Sequence, residues 1–229
     1  MSEILNRTLV KTADGSTSLY IPGWDERYHS QHGAIAEAQH VFINTGLKHS
    51  LTQTDADCLH IMEIGFGTGL NGFLTAVESL TMEKKIAYTG YEAYPISLNE
   101  ADQMNYGQVI ANGRQISVYK KLHQANWEET CTIHDYFSIR KRKQFFHSIT
   151  DIEEYHLIYF DAFGARVQPE VWEQNIFEIM YKSLKTKGIL VTYSAKGSVR
   201  RAMQDVGFEV ERLPGPPGKR EMLRATKIM

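Results

Sequence analysis

Leu59-His60-Ile61-Met62-Glu63-Ile64-Gly65-Phe66-Gly67-Thr68-Gly69-Leu70-Asn71 decides the fold. An apolar run over 59–64 ends in three alternate glycines, and a helical pattern over 70–82 follows. That is the strand, tight turn and helix with which a doubly wound α/β sheet brings its backbone close to a ligand. Working outward, short apolar runs alternate with amphipathic stretches. Strands are expected at 59–64, 86–92, 137–143, 156–161, 189–194, 208–213 and 221–226, with helices near 70–82, 95–105, 115–127, 169–186 and 197–206. Gly188 is read as ending the helix that Pro169 begins, and Gly207 as ending the next. No helix fits between the last two strands, so the final strand is expected to return antiparallel.

Ahead of this sheet, Thr8-Leu9-Val10-Lys11 and Thr17-Ser18-Leu19-Tyr20-Ile21 flank Asp14-Gly15 and read as a β-hairpin. Ala34, Ala38, Val41 and Phe42 recur at helical spacing, and that helix is expected to stop near Gly46. The polar stretch Lys48 to Asp57 then reads as a linker. The expected division is an N-terminal hairpin and helix extension over 1–57, packed on a core domain over 58–229.

The chain has 229 residues, 42% of them hydrophobic and 23% charged, which suits one buried core and excludes disorder. No apolar run approaches the length of a membrane span, and Met1 to Arg7 lacks the pattern of a secretory signal, so a cytoplasmic protein is expected. Cys58 and Cys131 have no metal-ligand spacing, and no metal is expected. A net charge of -2 hides an asymmetry: Lys182 to Met229 holds 11 basic and 4 acidic residues. Such a segment suits a polyanion, although a solvated surface has the same composition.

Three acids mark a site. Glu63 heads the glycine turn, where a carboxylate can hold an ammonium group directly or through water. Glu92 closes the second strand, where it can bridge ribose hydroxyls; a solvated strand-end charge would read the same. Asp161, in Tyr159-Phe160-Asp161-Ala162-Phe163-Gly164, reaches the carboxyl edge of the sheet, as would an aspartate that merely caps a turn. Gly65, Phe66, Gly67, Thr68, Gly69 and Asn71 complete the cofactor side, with the Phe66 ring itself read as core. Tyr28 and Phe163 can wall a base taken out of its stack. Lys196, Arg200 and Arg201 at a helix start, with Lys219 and Arg220 after Pro214-Gly215-Pro216-Pro217-Gly218, can meet phosphates. Arg140-Lys141-Arg142-Lys143 overlaps a strand and reads as an exposed edge guarded by charge.

Several segments together carry a resemblance: Tyr28-His29-Ser30 with Gly33, Glu37, Val41 and Phe42; Gly65 to Asn71; Phe160-Asp161-Ala162-Phe163 with Pro169 and Trp172; Ser194-Ala195-Lys196-Gly197 with Val199-Arg200-Arg201; and Gly218-Lys219-Arg220-Glu221-Met222-Leu223. From about Asp25 onward the chain resembles the methyltransferases that complete 5-methylaminomethyl-2-thiouridine in tRNA, the MnmC methyltransferase-domain or stand-alone MnmD type. The resemblance implies a class I, Rossmann-like α/β fold, S-adenosylmethionine as donor, and the tRNA wobble uridine in the anticodon region as acceptor. Bifunctional members carry a flavin oxidase after this unit; with the chain ending at Met229, the resemblance implies methylation of an aminomethyl group already formed. Asp161 is then expected to orient the amine and take its proton. One departure stands out: where the family places an acid facing adenine, this chain reads Gln144-Phe145-Phe146. A methyltransferase for a small-molecule amine, of the spermidine-synthase-like type, and a non-catalytic RNA-binding module are the competing readings.

Overall fold

The computed structural model describes residues 6–110 and 115–228. The leader reading over residues 1–5 lies outside the described residues, as do the chain's last residue and 111–114. An eight-stranded sheet forms the centre. Its strands are β4 (Cys58–Ile64), β5 (Lys85–Tyr91), β6 (Thr130–His134), β7 (Phe137–Arg142), β8 (Tyr155–Phe160), β9 (Leu184–Thr192), β10 (Phe208–Pro214) and β11 (Glu221–Lys227). Their order is β10-β11-β9-β8-β4-β5-β7-β6. β7, β5, β4, β8 and β9 are parallel, while β11 runs antiparallel to β9 and β10. This is the expected doubly wound sheet with an antiparallel finish. Strand order reverses at β4 and β8, the switch point where open α/β sheets place their ligands.

Both sheet faces are covered, which is why the central strands β4 and β8 read as largely apolar runs. On one face lie α3 (Leu70–Met82) and α6 (Ile116–Gln124), contributing Phe73 and Tyr119 to the core. On the other lie α7 (Gln174–Ser183) and α8 (Gly197–Asp205), contributing Phe177 and Met203. The front hairpin pairs β1 (Thr8–Lys11) with β2 (Thr17–Ile21), and the short β3 (Glu26–Arg27) extends it.

Four local readings are corrected. The helix does not stop at Gly46: α1 (Ala34–Ala38) runs through a π-helical segment, Gln39–Leu47, into α2 (Lys48–Gln53), so most of the supposed linker is helical. Gly46 serves packing instead, because a Cβ there would lie 2.9 Å from Val191 and 3.2 Å from Tyr159. The helix expected over 169–186 is a 3-10 turn, Pro169–Trp172, followed by α7, since extended backbone at Glu173 interrupts it. Gly188 lies inside β9; it sits beside a positive-φ Lys187 where the register with β8 shifts, and a Cβ there would meet the Lys185 carbonyl at 2.8 Å. The stretch 95–105 holds only α4 (Leu98–Asp102), started by a Ser97–Glu100 capping box; α5 (Tyr106–Val109) follows separately because the Asn105 side chain is bonded to the front hairpin.

The basic run is not an exposed edge, because β6 pairs antiparallel outside β7. Lys141 is 1% exposed, and its ammonium donates to the His123 carbonyl at 2.8 Å and lies 5.0 Å over the Trp127 ring. Burial lowers it to about 8. Among the described residues, no helix is long and apolar enough to cross a membrane.

Candidate active site

At the carboxyl edge of β4, β5 and β8 the chain surrounds a cavity of about 710 Å³. The glycine loop forms one wall. Gly65, Gly67 and Gly69 have φ of +87°, +49° and +72°, a region that side chains strain to enter. Gly65 is needed twice over, since a Cβ there would sit 2.7 Å from the Asp161 carbonyl. The Phe66 ring is 3% exposed and packs over Gly90, as its reading as core anticipates; a Cβ on Gly90 would be 2.6 Å from it.

Three buried side chains meet where β4 and β8 end. The Asn71 amide donates to Glu63 at 2.9 Å and to Asp161 at 2.8 Å, so one NH2 group spans both carboxyls. Asp161 lines the cavity, whereas Glu63 stands behind Asn71 and is 1% exposed. Burial and the Asp161 charge push Glu63 well above its ordinary range. Burial and the Glu37 charge raise Asp161 to about 8, against the Asn71 hydrogen bond and Lys219. Two close carboxyls with raised proton affinity retain a proton near neutrality, and the Asp161 carboxylate formed when that proton leaves can accept another group's proton.

Glu92 also lines the cavity. One of its oxygens accepts from the Gly67 amide at 3.0 Å and the other from Tyr94 at 2.8 Å, which fixes the carboxylate and leaves a lone pair on each oxygen. Burial raises it, opposed by these backbone bonds. Thr68 turns inward: its hydroxyl lies 3.1 Å from that of Tyr106, and its carbonyl accepts from Tyr119 at 2.9 Å and His123 at 3.0 Å. Thr68 therefore anchors the loop through α6, a role the motif itself does not announce.

Tyr28 and Phe163 come together as an edge-to-face pair, 4.8 Å between centroids, on the cavity wall. Tyr28 belongs to a roof made by the front segment, against which Phe163 packs from the loop after β8. Arg7 ties it on one side, donating to the Tyr28 hydroxyl at 2.8 Å, to the Tyr94 carbonyl at 2.7 Å and to Glu100 at 3.3 Å. Arg166 ties it on the other, reaching the carbonyls of Trp24 and Asp25 and the Glu26 carboxylate at 2.9 Å. Neither arginine has a motif around it. The departure at Gln144-Phe145-Phe146 supplies an aromatic wall: Phe145 and Phe146 line the cavity, with Phe145 stacked on His147 at 5.5 Å.

Of the five basic residues expected at the surface, Lys196, Arg201 and Arg220 are exposed and Arg200 is half-buried. Lys219 differs. It lines the cavity, its ammonium 2.7 Å from Glu37 and 3.8 Å above the Tyr193 ring. No cluster of three His, Cys, Asp or Glu able to hold a metal occurs among the described residues.

The cavity suits S-adenosylmethionine on its own geometry. A glycine cradle that a Cβ would fill, a fixed carboxylate at the end of β5 and an aromatic wall beside it match the needs of a nucleoside with a charged tail.

Residues 137–228 match a family described as S-adenosyl-L-methionine-dependent methyltransferase. Among curated proteins the chain is similar to the tRNA 5-methylaminomethyl-2-thiouridine biosynthesis bifunctional protein MnmC of Hydrogenovibrio crunogenus, 27% identical over 87% of this chain and 31% of that protein. The same protein of Cupriavidus necator is 29% identical over 90% of this chain and 32% of its own length. The chain thus spans about a third of the curated relatives it matches. Among solved structures, MNMC2 from Aquifex aeolicus superposes with a TM-score of 0.79 at 21% identity over 99% of this chain and 71% of that one. A spermidine synthase from Thermotoga maritima gives 0.59 at 12% over the same shares. In sequence the chain is similar to MnmC proteins, and its fold is that of the class I S-adenosylmethionine-dependent methyltransferases.

Proposed function

We propose that this chain transfers a methyl group from S-adenosylmethionine to the amine of 5-aminomethyl-2-thiouridine at the tRNA wobble position. The observation that carries the reading is a single cavity holding both the glycine cradle with Glu92 and, beside them, an Asp161 carboxyl raised to about 8. The MnmC-like sequence supplies the substrate class.

Bound there, S-adenosylmethionine supplies an electrophilic methyl on a sulfonium. Glu92 holds the ribose hydroxyls, and Phe145 and Phe146 give the purine an apolar surface. Gly65, Gly67 and Gly69 admit the donor against the backbone, while Asn71 fixes the carboxyl that handles the proton. A primary amine arrives as an ammonium ion and attacks only after losing a proton. The ionised form of Asp161 accepts it, and a proton affinity lifted toward that of an amine narrows the gap that the transfer must cross. Attack is then a matter of alignment, with the roof of Tyr28 and Phe163 holding the uridine and excluding water. Arg220, next in sequence to the cavity residue Lys219, and Lys196, Arg200 and Arg201, which follow the cavity residue Tyr193 across the start of α8, meet the phosphates of the anticodon region. A tRNA substrate makes the cytoplasm the place of action.

The test is direct. The purified chain is incubated with labelled S-adenosylmethionine and tRNA carrying 5-aminomethyl-2-thiouridine, and the digested nucleosides are identified by mass. One added methyl on that uridine is expected. Donor binding without transfer to this tRNA, together with methylation of free polyamines, would replace the wobble uridine by a small amine.

A further inference from the structure

The ammonium of Lys219 is in an unusual place for a lysine near a surface. It lies inside the proposed catalytic cavity, 2.7 Å from a Glu37 oxygen and 3.8 Å from the centroid of the Tyr193 ring. Both partners are held independently of it. The other Glu37 oxygen accepts from the Ser30 amide at 3.0 Å, and the Tyr193 hydroxyl donates to the Ala162 carbonyl at 2.8 Å. Carboxylate and aromatic face therefore stay in position when the cation leaves. Asp161 lines the same cavity and follows β8 directly, next to the Ala162 carbonyl that anchors Tyr193.

We propose that Glu37 and the Tyr193 ring form an alkylammonium subsite beside Asp161, which Lys219 fills in the free protein and the acceptor's amine takes over on binding. The proposal rests on the amine-methylating reading above and names how the acceptor is recognised. Lysine carries a primary amine on an alkyl stem, the functional group of the proposed acceptor, so the protein's own side chain marks where that group is stable. Carboxylate and ring are the two features that select such a cation: a charge-assisted hydrogen bond and a cation–π contact. Exchange of one ammonium for another keeps the charge beside Glu37 constant, whereas a neutral group would leave a buried carboxylate unpaired. The exchange needs little backbone motion, because the stem of Lys219 is long and its side chain is one-third exposed. It also delivers the acceptor as a cation next to the carboxyl that removes its proton.

Two measurements test this. Lys219→Ala deletes the atoms of n-propylammonium and leaves the subsite open. Thermal melting of that variant without donor or tRNA should rise saturably with n-propylammonium chloride, relative to potassium chloride at equal ionic strength. The Glu37→Gln/Lys219→Ala double variant should not respond. In steady-state transfer the two single variants should move in opposite directions. Lys219→Ala frees the site and lowers the acceptor KM by about threefold or more. Glu37→Gln removes the charged partner and raises it by about tenfold or more. A merely structural ion pair would weaken acceptor binding in both. Absence of a saturable shift in Lys219→Ala, the same shift in the double variant, or a rise in KM for both single variants overturns the proposal. Should Lys219→Ala fail to fold, Lys219→Gln carries the kinetic comparison. Because the melting assay uses neither donor nor tRNA, a negative result in tRNA methylation leaves it standing on its own.

Discussion

Replacing Asp161 by asparagine should stabilise the protein, increasingly so as the pH rises. Raising the carboxyl from its ordinary 3.8 to about 8 corresponds to about 6 kcal/mol at about 1.4 kcal/mol per pH unit. The sign follows from proton counting. Between those two values the unfolded chain carries Asp161 ionised while the folded chain keeps it protonated, so wild-type stability falls as pH climbs through the window. Below the lower value neither state carries the charge and the penalty vanishes. Asp161 faces a cavity that admits water, so screening reduces the full figure to about 2–3 kcal/mol. Asparagine retains an acceptor for the Asn71 amide and has no charge to bury. Urea unfolding of both proteins at intervals from about pH 4.5 to about pH 8.5 measures the difference directly. It should be smallest at the acidic end and largest at the alkaline end. Glu63 shares the same amide, and the two carboxyls titrate as a pair, so Glu63→Gln is run alongside to apportion the slope. A difference that stays flat across the range refutes the argument that burial governs this carboxyl. The same variant should keep donor affinity and lose turnover, since its shape is kept and its proton acceptor is gone.

Gly65→Ala should abolish donor binding and cost about 2–4 kcal/mol of stability, because it combines a positive φ with a Cβ 2.7 Å from a carbonyl; unchanged donor affinity by calorimetry would contradict the cradle. Tyr119→Phe removes one of two donors to the Thr68 carbonyl and should weaken donor binding about fivefold, the size of one net hydrogen bond; an unaltered dissociation constant would separate loop anchoring from binding. Arg200→Ala/Arg201→Ala should weaken tRNA binding and flatten its dependence on salt by about one unit of logarithmic slope for each phosphate that is no longer neutralised, and a parallel slope would assign both arginines to the fold.

Signals carried by neighbours in sequence were legible before the structure. The strands at 59–64, 156–161 and 189–194 stand as largely apolar runs because parallel strands are buried on both faces, and the glycine turn declares itself by spacing. Readings failed where a residue's meaning is set by a distant partner. Gly46 resembles a helix terminator until Val191 and Tyr159 are seen pressed against it. Arg140 to Lys143 resembles a guarded edge because β6, exposed over much of its length, has too weak an alternation to announce itself. Lys219 stands in a cationic loop, and only the fold turns it inward to Glu37. Arg7 and Arg166, which hold the roof, are lone charges in the sequence and become clamps only through carbonyls that no motif describes.

The pairing of Glu37 with Lys219 joins residues 182 positions apart, which has a consequence for how the protein matures. Made from the amino end, the chain presents its roof long before the sheet that must carry it, and the opposite wall comes with the β10–β11 hairpin, which follows every parallel strand of that sheet. Contacts of such separation pay their chain entropy late. A growing or partly folded chain can hold the glycine turn and its helix without possessing a closed cavity. Competence to bind an acceptor thus waits for that hairpin to close on the sheet, and a chain clipped within it would keep the parallel strands β4, β5, β7, β8 and β9 while losing the wall that selects an amine.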